Sequence, residues 1–287
     1  MRAILVPVAD RPESRAALQT TFALAARLGA DVLGVHFRPA PIEPGTWDLA
    51  DLWTMNQNRA WPMTDHEAAE RAAQAARQLF ESSAAAAGFP VSEQPGTAQR
   101  PHACWEAITG SPPDLMPTLG GASDLIVASR PPAHGGDKAW IVLTSALLES
   151  LRPVLVLPQA ASSTSLRRVA IAWNRGRTET LAVHAGLPLI KGADDGVLLT
   201  VGQGTRGRGP TGDRVIQWLA RHGVSARMKQ IDRTDEGAAL IEHAQAEGAD
   251  VLLAGAYTRG RFREMVFGGV TEYLISKTEM PIVLMHA

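Results

Sequence analysis

The stretch with the clearest chemical potential runs from Gly255 to Glu272. It reads Gly255-Ala-Tyr257-Thr258-Arg259-Gly260-Arg-Phe-Arg-Glu-Met-Val-Phe-Gly268-Gly269-Val270-Thr-Glu272. Such a loop suits a phosphate. Glycine lets the backbone approach an anion closely and adopt positive φ. Gly268 and Gly269 stand just before a helix pattern, so free N–H groups and the positive dipole end would face an anion. Arg259, Arg261 and Arg263 add positive charge. The same residues also describe a tight turn with a solvated arginine face, and chemistry alone leaves both readings open.

A second glycine pattern, Gly202-Gln-Gly204-Thr-Arg-Gly207, follows a strand pattern, and Asp232 ends the next one. This imitates a dinucleotide fingerprint. Two features count against it. The strand is the second of its half, and the next helix starts only near Thr211–Asp213, after Pro210, whereas a true fingerprint opens its helix with the glycines. No G-x-x-x-x-G-K-[ST], H-E-x-x-H or G-x-S-x-G occurs. The eight histidines are scattered without metal-ligand spacing, so no metal site is expected. Cys104 is the only cysteine. It reads as a buried thiol in a reducing compartment. A net charge of -1 gives no pull toward nucleic acid or acidic membranes. No uncharged apolar run approaches the roughly 18 residues that span a bilayer. Ala3–Ala9 is too short for a secretory signal and reads as a first strand. The expectation is a cytoplasmic protein.

The elements that must position these residues alternate. In the first half the pattern predicts strand Ala3–Val8, helix Glu13–Leu28, strand Asp31–His36 and helix Thr64–Ala87. Strand Val91–Gln94, a short helix near His102–Ile108, strand Asp124–Ala128, a helix near Leu143–Ser150 and strand Pro153–Leu157 follow. The second half predicts strand Val169–Trp173, helix Glu179–Ile190, strand Val197–Val201, helix Asp213–His222, strand Ala226–Ile231 and helix Asp235–Glu247. Asp250-Val-Leu-Leu-Ala254 then repeats Asp124-Leu-Ile-Val-Ala128, and Pro281-Ile-Val-Leu284 repeats Pro153-Val-Leu-Val156. Alternation of this kind implies parallel sheets covered on both faces. The expected organisation is two tandem Rossmann-like α/β domains, 1–160 and 161–287, joined through the Ser/Ala/Thr stretch Gln159–Ser165. The first carries a Pro/Trp-rich insertion at about 39–63. Its Trp47, Trp53 and Trp61 suit a packed lid, a partner surface or a ligand pocket.

The Gly255 segment resembles the signature of the universal stress protein family: Gly, two residues, Gly, nine residues, then Gly and a small residue. Gly255 fits the first position, Gly268 the third, and Gly269 the small residue. The flanks Asp250–Ala254, Val270-Thr271-Glu272 and Pro281–Leu284 agree. The resemblance covers nearly the whole chain as two copies. It implies the adenine nucleotide alpha hydrolase-like fold, each domain a five-stranded parallel sheet of order 3-2-1-4-5, with the last strands of the copies paired as an intrachain pseudo-dimer. A further homodimer is compatible with it. The nucleotide-binding set it implies is Ala172, Trp173, Asn174, Val201, Ala254, Gly255, Tyr257, Thr258, Arg259, Gly268, Gly269 and Val270. Asn174 stands where the family's ribose-contacting Asp occurs, and Thr258 replaces the second glycine, with Gly260 two residues on. The first copy departs further: Ser129 and Pro132 replace two glycines, and Ala9 stands in the Asp place with Asp10 displaced by one. The implied ligand is ATP or AMP, with Mg2+ for a triphosphate, bound in the second domain of a stress-response regulator. No residue is placed as a catalytic base, so hydrolysis would be slow or absent. The rival reading is an interaction scaffold that binds no nucleotide and acts through the insertion.

Overall fold

A computed structural model describes residues 1–39, 66–97, 99–132, 137–159, 166–202, 207–256 and 269–286. The chain divides into two compact units. Unit 1 comprises Met1–Ser150 with Gln159–Ser163, and unit 2 comprises Leu151–Pro158 with Thr164–Ala287.

Unit 1 contains β1 (Ala3–Pro7), α1 (Pro12–Leu28), β2 (Asp31–Arg38), α2 (His66–Ala86), β3 (Ala103–Thr109), α3 (Pro112–Gly121), β4 (Leu125–Ser129) and α4 (Asp137–Glu149). The order is β3-β2-β1-β4, with all neighbours parallel. α1 begins with Pro12, whose fixed φ suits a first turn. It ends at Gly29, in the left-handed region at φ 62, with its N–H on Ala25 O. Gly34 of β2 lies under Phe80 of α2. A Cβ there would meet the ring at 2.5 Å, so the glycine sets how closely helix and sheet pack.

Unit 2 contains β5 (Val154–Leu157), β6 (Arg168–Ala172), α5 (Arg177–Ile190), β7 (Asp195–Val201), α6 (Gly212–Arg221), β8 (Ala226–Ile231), α7 (Glu236–Ala246), β9 (Val251–Gly255), α8 (Gly269–Lys277) and β10 (Ile282–Met285). Strands β8-β7-β6-β9-β10 are parallel, which is the order 3-2-1-4-5. β5 adds to β10 in antiparallel sense, with Val283 opposite Leu155. β4, β5, β9 and β10 are buried almost throughout, as expected of strands with both faces covered.

The matching Asp residues have a shared task. Asp250 accepts the backbone N–H of Arg167 (3.1 Å) and of Arg168 (2.8 Å), at the start of β6. Asp124 likewise accepts the N–H groups of Arg2 and Ala3 at the start of β1. Each carboxylate thus joins the entry of its unit's first and fourth strands.

One segment differs from the sequence pattern. The expected helix near His102–Ile108 is strand β3, and Val91, expected to open a strand to Gln94, makes only an isolated bridge to Ala103. The cause is Asp31, which heads β2. Its carboxylate accepts the N–H of Gly96 (2.9 Å) and of His102 (2.7 Å). That anchor starts residues 103–109 beside β2, and they pair with it from Val32 to Arg38. The helix of this region lies after it, as α3.

Candidate functional site

In unit 2 the strand order reverses between β6 and β9, and the carboxyl ends of such neighbours form the crevice where open α/β sheets take ligands. β6 ends at Ala172, and Trp173 continues its ladder with its N–H on Leu199 O at 2.9 Å. The turn that follows is held tightly. Asn174 Oδ1 accepts the Gly176 N–H at 2.8 Å. Arg175 is left-handed, at φ 64, a strained state for a residue with a Cβ. The segment 207–209 fixes it there. Gly207 N donates to Asn174 O (3.1 Å), Gly209 N donates to Arg175 O (2.9 Å), and Arg175 Nε donates to Gly209 O (3.0 Å). A Cβ on Gly207 would lie 1.8 Å from Arg175 O. The third glycine of the dinucleotide-like pattern therefore permits a close backbone crossing over this turn, and α6 starts five residues later.

Gly176 leads into α5, whose first turn carries Thr178 and Glu179, both buried. Gly255, the last residue of β9, is pressed against this turn. A Cβ there would lie 2.5 Å from Thr178 Oγ1 and 2.9 Å from Glu179 N. The structure thus brings Asn174 and Gly255 to one place, the head of α5. Ala172 and Ala254 lie buried just beneath, in β6 and β9. Val201 ends the neighbouring β7. Gly269 and Val270 open α8, which packs on α7, where Gly237 makes room for Tyr273. A Cβ on Gly269 would enter open space, so no contact among the described residues requires glycine there. Tyr257, Thr258, Arg259, Gly260 and Gly268 lie outside the described residues, as do Trp47, Trp53 and Trp61.

Trp173 is 3% exposed, and its indole Nε1 has no hydrogen-bond partner among the described residues. A buried donor left unpaired is costly. The sequence placed Trp173 in the nucleotide set but gave no sign of the orphaned donor. It also missed Glu179. A carboxylate in the first turn of a helix reads as an ordinary response to the helix dipole, and only burial marks it out.

The matching end of unit 1 is closed by side chains. Ser129 Oγ donates to Glu13 O at 3.0 Å, and the Ala9 N–H donates to Ser14 Oγ at 3.3 Å. Where unit 2 has bare Gly255 under its helix, unit 1 has a serine bonded to the first turn of α1. His36, 8% exposed, holds Val8 O through Nδ1 at 2.9 Å. Burial pushes its pKa below the usual 6.5. The bond to Val8 opposes this, Arg38 and Lys138 add to it, and Glu70 opposes it weakly. In unit 2, His286 holds Ala256 O in the same manner, at 3.1 Å.

Among the described residues no helix is long and apolar enough to cross a membrane, and no three His, Cys, Asp or Glu side chains gather as a metal set.

Residues 204–286 match the model of the universal stress protein family. A universal stress protein from Archaeoglobus fulgidus DSM 4304 matches in structure across 99% of this chain and 96% of its own, with a TM-score of 0.68 at 16% identity. A Pseudomonas aeruginosa UCBPP-PA14 protein assigned to the universal stress proteins matches across 100% of this chain and 93% of its own, with a TM-score of 0.55 at 15% identity. In sequence, the stress response protein NhaX of Bacillus subtilis (strain 168) is 32% identical over 50 residues. That match spans 17% of this chain and 30% of NhaX.

Proposed function

Since this chain is a UspA-like protein, we propose that it is a stress-related regulatory protein that binds an adenine nucleotide at the strand ends of unit 2. The observation that carries this reading is the meeting of Asn174 and Gly255 at the head of α5, where the strand order reverses. Two features there suit a ribosyl or base moiety. With Oδ1 engaged by Gly176, Asn174 keeps its amide donors for a ligand. The Trp173 N–H has no acceptor among the described residues. Unit 1 takes no part in this reading, because Ser129 and Ser14 close its equivalent end. Isothermal titration of the full chain with AMP and ATP tests it. Saturable heat that disappears in Asn174→Ala, with a melting curve showing the variant folded, supports the site. Heat unchanged in Asn174→Ala moves the ligand elsewhere.

A further inference from the structure

We propose that residues 207–209 are a positioning strap: they hold Arg175 in a left-handed conformation and so fix the Asn174 amide that the nucleotide reading above, on which this inference rests, gives to the ligand. Asn174 Oδ1 accepts the Gly176 N–H at 2.8 Å, so the side chain closes an Asx-turn whose second central residue is Arg175. Arg175 has φ 64, a conformation that such a turn ordinarily takes from glycine. A strained φ of this kind persists only where its surroundings over-determine it. If Arg175 relaxed to negative φ, the Gly176 N–H would turn away, and the Asn174 amide would lose the bond that orients it.

The strap supplies those surroundings. Gly209 N donates to Arg175 O at 2.9 Å, and Arg175 Nε returns the bond to Gly209 O at 3.0 Å. Gly207 N donates to Asn174 O at 3.1 Å. What the two glycines contribute is closeness rather than a special φ. Neither is left-handed, yet an added Cβ would lie 1.8 Å from Arg175 O at Gly207 and 2.7 Å from the same oxygen at Gly209. That oxygen is backbone and cannot swing aside as a side chain can, so a Cβ at either position lifts the strap from the turn. Gly207, the last glycine of the dinucleotide-like pattern, thus has a use that involves no dinucleotide. The strap runs on into α6, which starts at Gly212, so the setting of Asn174 is tied to the entry of that helix.

The test is calorimetric titration of the full chain with AMP, with a thermal melt of each protein. Wild type, Asn174→Ala, Gly207→Ala, Arg175→Gly and the double variant of the last two are compared. Gly207→Ala is expected to weaken AMP binding roughly tenfold, the loss of about one hydrogen bond. In the Arg175→Gly background the same step is expected to cost less than about threefold, because glycine takes a left-handed φ unaided. A strap that served folding alone would lower the melting temperature without this difference in affinity between the two backgrounds. AMP held by Gly207→Ala as tightly as by wild type, while Asn174→Ala loses it, overturns this inference and leaves the nucleotide reading standing. An equal loss in both backgrounds also overturns it, since the strap would then not act through Arg175. No binding by wild type, or binding that Asn174→Ala does not weaken, overturns both. If Gly207→Ala does not fold, Gly209→Ala takes its place with the same expectations.

Discussion

At Gly255 the fold leaves no room for a side chain, and the reason lies in unit 2 itself. The nearest atoms to an added Cβ are Thr178 Oγ1 and Cβ, followed by the backbone nitrogen of Glu179. The hydroxyl can rotate away, but the backbone cannot. Gly255→Ala should therefore destabilise the protein by about 1–3 kcal/mol, the usual cost of overpacking, read as a shifted midpoint in urea. An unshifted midpoint would show that α5 can lift from β9. His36 supplies a second residue-scale expectation. Its folded pKa is depressed by burial, so the native state holds fewer protons here than the unfolded chain. Its contribution is fully present above 6.5 and is lost as the pH falls below that value. Wild type should lose melting temperature as the pH falls from 6.5 toward about 5, and His36→Gln should show a shallower dependence. Parallel curves for the two proteins would exclude His36 as the cause. The legibility of the site follows the same divide between chain and space. Gly255 is marked by a linear motif and its flanks, and Asn174 by its place after the first strand, where the resemblance puts an Asp. Glu179 and the unpaired Trp173 N–H were not, because burial and a missing partner are properties of the folded surroundings.

The elements explain where the pattern could be read and where it failed. Parallel strands buried on both faces appear in sequence as unbroken apolar runs, and β4, β5, β9 and β10 were found as such. β3 was not. Ala103-Cys-Trp-Glu-Ala-Ile-Thr109 has no unbroken apolar run, and its side chains are half-buried or exposed beyond Ala103. Its strand conformation comes from Asp31, distant in sequence, which fixes Gly96 and His102 by their N–H groups. The matching aspartates act similarly at the strand entries. Asp250 satisfies two backbone donors of β6, and a hydrogen bond to a charged group contributes about 1.5–3 kcal/mol. Partial exposure should hold the loss in Asp250→Ala to about 1–2 kcal/mol. Guanidinium unfolding checks this, and Asp124→Ala should behave alike because Asp124 meets the same two positions of β1. A neutral outcome in both would mean that water replaces the carboxylate without loss.

For the whole molecule, ligand binding is proposed for one of two units built on the same α/β plan. The difference between them is local. Ser129 bonds the first turn of α1 in unit 1, while in unit 2 the bare Gly255 lets the first turn of α5 press directly on the end of β9. The α/β plan was legible, because apolar strand motifs recur with their leading Asp and Pro. The unequal fates of the two ends were only partly so: the substitutions could be read, but not the bonds that Ser129 and Ser14 make. The most direct test is photoaffinity labelling of the intact chain with azido-AMP, followed by peptide mapping. Label is expected only in unit 2, in peptides from the turn after β6 or the end of β9, and suppressed by excess AMP. Label in residues 1–150, or none that AMP suppresses, would contradict it.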